Sequence, residues 1–196
     1  VVVLEKETVG WGASSRNGGQ VLTGWKLGAS ALLARFGRER AREMFAASLS
    51  AIGFVETLVA EEGIDCGFRR SGHLDAACKP GHFDAMRRER ELLEREFDHR
   101  VRLVPRAEQR SELGSDLYHG LMVDAASACL QPARYVRGLA GAARRAGAAL
   151  LEQTPAQAMK VPVGESVVPA GPGIHGQQRD GGSAHHQAAR GEIVVR

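Results

Sequence analysis

The pattern of apolar and polar positions changes period several times along the chain. It opens on Val1-Val2-Val3-Leu4, an aliphatic run without polar alternation that stops at Glu5. Such a run predicts a parallel strand covered on both faces. From about residue 27 to 62 the spacing becomes helical. Leu32, Leu33, Phe36, Met44, Phe45, Leu49, Ile52, Val55, Leu58 and Val59 recur on one side of that period. Gly37 interrupts it and predicts a short helix followed by a long one. Residues 66–77 alternate and predict a strand. Lys79-Pro80-Gly81 predicts a turn, and residues 82–97 a charged helix with Met86, Leu92, Leu93 and Phe97 on its apolar side. A short strand over 101–104 and a brief helix over 105–112 follow.

The second half predicts a strand within 117–123 that delivers the chain to Asp124. Pro132 suits the first position of a helix. That helix runs to about Arg145, and Gly147 stands where a helix-ending glycine belongs. Residues 148–152 predict another strand. Helical and strand patterns thus alternate, which favours an α/β architecture.

One loop carries candidate chemistry. After Glu5 comes Gly10-Trp11-Gly12-Ala13-Ser14-Ser15-Arg16-Asn17-Gly18-Gly19-Gln20, dense in glycine and small polar residues. A cluster of this kind behind a strand is ordinarily a turn. An acid ending an apolar strand, with such a loop behind it, is also how a nucleotide-binding domain looks after its second strand. There the carboxylate takes ribose hydroxyls. No G-x-G-x-x-G precedes it, so the chain is expected to be a fragment or a reading frame begun late. A loop that approaches a diphosphate needs backbone N–H groups and little bulk, which Gly12, Ala13 and Ser14 supply. Arg16 suits phosphate charge or loop bracing. Asn17, Gly18 and Gly19 permit left-handed backbone and close approach to a flat ring.

That wording resembles the second-strand region of D-amino-acid-oxidase-like FAD-dependent oxidoreductases, in the gamma-glutamylputrescine oxidase and glycine oxidase group. The segments Gly63-Ile64-Asp65-Cys66-Gly67-Phe68-Arg69-Arg70-Ser71-Gly72-His73-Leu74 and Leu130-Gln131-Pro132-Ala133-Arg134-Tyr135-Val136-Arg137-Gly138-Leu139-Ala140 fit the same family more loosely. The resemblance covers about residues 1–158. It implies a partial FAD/NAD(P)-binding Rossmann-like domain with an inserted α+β portion of a substrate domain. Residues 1–62 are then part of the FAD-binding domain, 63–130 part of the substrate domain, and 131–158 the return to the FAD domain. The cofactor implied is FAD. Glu5 is implied to bind the adenosine ribose, and Gly12, Ala13, Ser14, Arg16, Asn17, Gly18 and Gly19 to line the cofactor. The reaction implied is oxidation of an amine or amino acid, with a hydride passing from a substrate C–H to the flavin. No catalytic residue is assigned by the resemblance.

Composition narrows the alternatives. Of 196 residues, 43% are hydrophobic and 25% charged, which suits one globular domain of ordinary size. A net charge of +3 without a basic stripe, and only 5% aromatics, argue against a nucleic-acid partner. No apolar run reaches the roughly 18 residues that span a bilayer. Three cysteines, Cys66, Cys78 and Cys129, stand at no metal-like spacing and suit reduced thiols in the cytoplasm. No Ser/His/Asp set, P-loop or zinc spacing is present. Arg69, Arg70 and His73 suit a solvated strand edge better than a substrate site. A non-catalytic helical interaction module, or an inactive gene fragment, are the other readings.

Residues 159–196 differ from the rest. Prolines, glycines and His175, His185 and His186 dominate, and only Ile193-Val194-Val195 looks like a strand. So little apolar surface predicts a disordered tail, and the family resemblance is expected to stop before it.

Overall fold

A computed structural model of the chain describes residues 1–160 and 192–195. In chain order the strands are β1 (Val2–Leu4), β2 (Gln20–Val21), β3 (His73–Ala76), β4 (Arg102–Pro105), β5 (Gly120–Asp124), β6 (Ala128–Cys129), β7 (Ala149–Leu151), β8 (Ala156–Lys160) and β9 (Glu192–Val195). The helices are α1 (Ala29–Phe36), α2 (Arg38–Glu61), α3 (Pro80–Phe97) and α4 (Pro132–Arg145), with a 3₁₀ turn over Arg106–Ser111. Two compact units emerge, Val1–Val9 with Ala146–Arg196, and Gly10–Arg145.

In the first unit β1 pairs in parallel with β7, Val2 opposite Ala149 and Leu4 opposite Leu151. The parallel pairing agrees with the aliphatic run. The expected cover on both faces is absent, with Val2 61% and Val3 45% exposed. Among the described residues this unit has no helix to lay over the pair. In the same unit β8 pairs antiparallel with β9. The strand expected at Ile193-Val194-Val195 is therefore present, and the expected tail begins with two ordered strand residues, Met159 and Lys160. The remainder of that expectation, with His175, His185 and His186, lies outside the described residues.

In the second unit, β3, β5 and β4 form an antiparallel sheet with β5 in the centre. Its central Leu121 is fully buried, and Val104 and Ala77 nearly so or fully. Phe45, Leu93, Val101 and Ala29 form a core cluster with Leu49, Leu92, Phe97 and Met122 around it. It joins the inner faces of α1, α2 and α3 to the sheet. A second, two-stranded ladder, β2 with β6, sits beside this sheet in the chain's topology.

Local sequence explains the boundaries. Gly37, at φ 76°, donates its N–H to the Leu33 carbonyl and separates α1 from α2 as its position suggested. Pro80 and Gly81, expected in a turn, form the first turn of α3. The proline ring fixes a helical φ, and its missing N–H is one the first turn leaves unpaired anyway. Asp98, left-handed at φ 50°, ends α3. The strand expected over 66–77 is confined to β3, with one further bridge between Arg69 and Cys129. Gly67 and Gly72 turn left-handed within that stretch and break the ladder. In α4, a Cβ on Gly138 would stand 2.2 Å from Ile64, so glycine is required where that isoleucine packs.

One helix departs from the sequence expectation. α2 is long and apolar enough to cross a membrane by length and composition. Its buried positions Ala41, Phe45, Ser48 and Ile52 are spaced to form one stripe, and Glu56, one turn beyond Ile52, pairs with Arg70 at 2.6 Å. Only 17% of its apolar stretch is buried and Phe54 stays 67% exposed, so packing within its own unit covers one stripe of the helix and leaves apolar surface elsewhere on it.

Candidate functional site

The loop over residues 10–19 is braced by its own polar groups. The Asn17 side-chain amide donates to the Ala13 carbonyl at 2.9 Å and to the Ser14 carbonyl at 3.2 Å. Its Oδ1 accepts the Gly19 N–H at 2.8 Å. The Ser15 hydroxyl donates to the Gly10 carbonyl, and the Arg16 N–H to the Ala13 carbonyl at 3.2 Å. Asn17 thus serves as the loop's internal clamp, an arrangement short polar side chains favour in turns. The Arg16 guanidinium lies 4.8 Å from the Trp11 ring centroid, and among the described residues it has no carboxylate partner.

The glycines of the loop divide into two kinds. At Gly19, φ is 68° and a Cβ would stand 1.9 Å from the Leu130 carbonyl oxygen. Only glycine fits, because β2 and β6 approach there and Leu130 donates its N–H to the Gly19 carbonyl at 2.9 Å. At Gly12 a Cβ would meet nothing within 4 Å, and at Gly18 only the Gln20 side chain at 3.9 Å. Neither has a left-handed backbone. Packing and strain therefore do not require glycine at Gly12 or Gly18, as they do not at Gly28, Gly53, Gly81 or Gly114.

A groove of about 220 Å³ lies along this loop. Ser14, Asn17 and Gln20 supply polar atoms to it, and Val21, Val55, Leu130 and Pro132 supply an apolar wall. Tyr135 from α4 also lines it. Burial, with the neighbouring Cys66, pushes the Tyr135 hydroxyl above its usual range, so it is a neutral donor at pH 7. α4 is aimed by Gln131, whose side-chain oxygen accepts the Arg134 N–H at 2.6 Å. A wall that is flat and apolar on one side and hydrogen-bonding on the other suits a planar heterocycle with polar edges.

Glu5 ends β1 in the other unit. Its N–H donates to the Leu151 carbonyl at 2.9 Å, and its carbonyl accepts the Thr154 N–H at 2.8 Å. The side-chain Oε1 accepts the Glu7 N–H at 2.9 Å. Glu152 Oε1 accepts the Val9 N–H at 2.7 Å and closes the turn behind β1, a role its sequence position did not signal.

Of the residues named from sequence, Ser14, Asn17 and Gly19 line one groove. Gly12, Ala13, Arg16 and Gly18 belong to the same loop and are exposed. His73 is half-buried and pairs with Asp75 at 3.3 Å. Arg70 is engaged by Glu56 and by the Ala126 carbonyl at 2.9 Å, as expected of a strand edge. Sequence reading passed over His99 and Asp124. They meet at 3.0 Å with side chains 8% and 13% exposed, and Asp124 also accepts the Thr23 hydroxyl. Nothing in the spacing of residues 23, 99 and 124 announces that contact.

A family model described as FAD dependent oxidoreductase matches residues 1–195. The match runs well past residue 158, where the resemblance was expected to stop. The chain is 30% identical over 156 residues to the probable oxidoreductase OrdL of Haemophilus influenzae, covering 79% of the chain and 36% of that relative. It is 28% identical over 152 residues to gamma-glutamylputrescine oxidoreductase of Escherichia coli, covering 78% and 35%. The chain thus spans about a third of the length of these curated relatives. In fold it is similar to glycine oxidase from Geobacillus kaustophilus, with a TM-score of 0.69 and 22% identity over 81% of the chain and 41% of that structure.

Proposed function

This chain belongs to the FAD dependent oxidoreductase family, and from that premise we propose that its loop over residues 10–19 is the wall of a flavin site in an amine or amino-acid oxidase. The observation that carries the proposal is the groove that Ser14, Asn17 and Gly19 line together with the apolar wall of Val21, Val55, Leu130 and Pro132. Ser14 presents a hydroxyl, Asn17 presents an ordered amide, and Arg16 presents a guanidinium that has no acidic partner among the described residues. These groups suit the phosphates and the polar edge of FAD. The apolar wall from Val21, Val55, Leu130 and Pro132 suits the ring face and excludes water from it. Among the described residues, Glu5 Oε1 accepts the Glu7 N–H and Oε2 accepts no donor, which suits Oε2 to a ribose hydroxyl.

FAD, when bound, supplies the acceptor for the hydride that leaves the substrate carbon. The residues of this chain then bind and orient. Residues 63–130 contribute the antiparallel sheet as part of a substrate domain, and residues 131–158 return the chain to the cofactor domain. The substrate class is an amine or amino acid, in keeping with the printed names of gamma-glutamylputrescine oxidoreductase and glycine oxidase. Three unpaired thiols support a cytoplasmic, reducing setting.

Titration of the chain with FAD, followed by quenching of flavin fluorescence, tests this reading. Saturable quenching that weakens in Glu5→Ala supports it. Quenching that is absent, or identical in Glu5→Ala, overturns the assignment of that carboxylate to the ribose.

A further inference from the structure

We propose that Asp124 is a positioning residue for the flavin loop, which it acts on through Thr23. The inference rests on the reading that residues 10–19 hold FAD. Thr23 lies two residues beyond β2, the strand that leads out of that loop. Asp124 ends β5, the central strand of the antiparallel sheet. Its Oδ2 accepts both the Thr23 hydroxyl and the His99 Nε2–H, the latter at 3.0 Å. Its Oδ1 accepts the Ala126 N–H at 2.9 Å. One carboxylate therefore gathers three donors, from the loop exit, from the turn between α3 and β4, and from the turn between β5 and β6.

The two strands that clamp the loop exit both depend on that carboxylate. Thr23 continues from β2, and its N–H donates to the Ser127 hydroxyl at 3.3 Å. Ala126 and Ser127 lead into β6, which pairs with β2 through Gln20 opposite Cys129 and Val21 opposite Ala128. Just past β6, Leu130 donates to the Gly19 carbonyl. The residues after Thr23 are tied down as well. Gly24 donates its N–H to the Ser48 hydroxyl at 2.9 Å, and the Trp25 indole donates to the Met44 carbonyl at 2.8 Å. The loop exit is thus hung from α2 on one side and from Asp124 on the other.

The chemistry favours a carboxylate at this point. Asp124 and His99 are both largely buried, and the His99 ring meets Phe45 edge-on at 5.1 Å. A buried acceptor with several donors holds them more firmly than a neutral group, because each hydrogen bond is charge-assisted. Burial works against the charge of Asp124, yet the donors from His99, Thr23 and Ala126 outweigh it and hold the carboxyl below its usual range. An amide in its place has one acceptor oxygen, and its NH₂ faces a donor. A hydrophobic residue at Thr23 removes the link to the loop and leaves the His99 and Ala126 contacts in place.

The test is a pair of variants at Thr23 in the full chain, read by amide hydrogen exchange without ligand and by FAD titration. Thr23→Val is expected to speed exchange at residues 19–21 about tenfold, the scale of one hydrogen bond to a charged group. Exchange in α2 and α3 stays at the wild-type rate, and FAD affinity falls by a similar factor. Thr23→Ser, which keeps the hydroxyl, restores both. Unchanged exchange at 19–21 in Thr23→Val overturns the proposal, as does acceleration shared equally by the loop and the helices. The exchange experiment needs no cofactor, so it decides the positioning role by itself. A wild-type chain that fails to bind FAD counts against the flavin reading instead.

Discussion

The parallel pair β1–β7 is wholly apolar and the antiparallel sheet β3–β5–β4 carries His73, Asp75, Arg102 and Asp124 on its strands, and the two are held together differently. β5 lies between two neighbours, and α3 packs on it so closely that a Cβ on Gly120 would stand 2.4 Å from the Phe83 ring. Its Leu121 has no exposed surface. Among the described residues β1 pairs with β7 alone, and it shows most of Val2 to solvent. Hydrogen bonds hold it: Ala149 N–H to the Val1 carbonyl, Glu5 N–H to Leu151, Thr154 N–H to Glu5 and Gln153 N–H to Glu7, all between 2.7 and 3.0 Å. Burial stabilises the antiparallel sheet, and backbone pairing holds the parallel one. An aliphatic run marks where a strand forms, and the layer placed over it decides how much that strand contributes to stability.

The contrast can be broken most strongly at the centre of the covered sheet. Leu121→Ala is expected to cost about 2–5 kcal/mol, the range for a fully buried leucine, and urea unfolding measures it. Gly120→Ala drives a methyl group into the Phe83 ring at a left-handed backbone position. It is expected to cost about 1–3 kcal/mol in the same measurement, and a companion Phe83→Leu change should recover part of the loss.

Acid supplies a smaller perturbation of the same sheet. Asp124, at the end of β5, has its carboxyl held below the ordinary aspartate value of 3.8, burial being outweighed by its hydrogen bonds. A depressed carboxyl stabilises the fold fully above 3.8, and that contribution disappears as pH falls through the lower folded value. Thermal unfolding across pH 2 to 6, in rough steps of one unit, should show this slope in the wild type and a flatter one in Asp124→Asn. The smallest effect is expected on the uncovered pair. Val2→Thr should change stability by less than about 0.5 kcal/mol, as an exposed site does. A loss near that of Leu121→Ala would show that β1 is buried in solution and erase the distinction.

Much of this was legible along the chain. The helical period from Leu32 to Val59, the break at Gly37 and the start of α4 at Pro132 follow from local rules, and each appears where those rules put it. The small residues of the loop, with the acid that ends β1, carried the resemblance to the FAD dependent oxidoreductase family that the family match bears out. Two kinds of feature were hidden. β2 and β6 hold two residues each, too short for any periodicity, and they exist because Gly19 lets their backbones meet. The contact of Thr23, His99 and Asp124 joins residues up to 101 positions apart, and only the packed fold brings them together. The exposure of β1 was misread for a related reason, since its composition says nothing of what covers it.

The central claim is that residues 10–19 shape themselves around a flavin rather than merely turning the chain. Gly18→Val tests it most directly, because a Cβ there would meet only the Gln20 side chain, at an ordinary 3.9 Å, and the backbone is not left-handed. FAD affinity and the unfolding midpoint should be measured together on wild type and variant. The account predicts an unchanged midpoint with FAD binding lost. A variant that binds FAD as tightly as the wild type would contradict it.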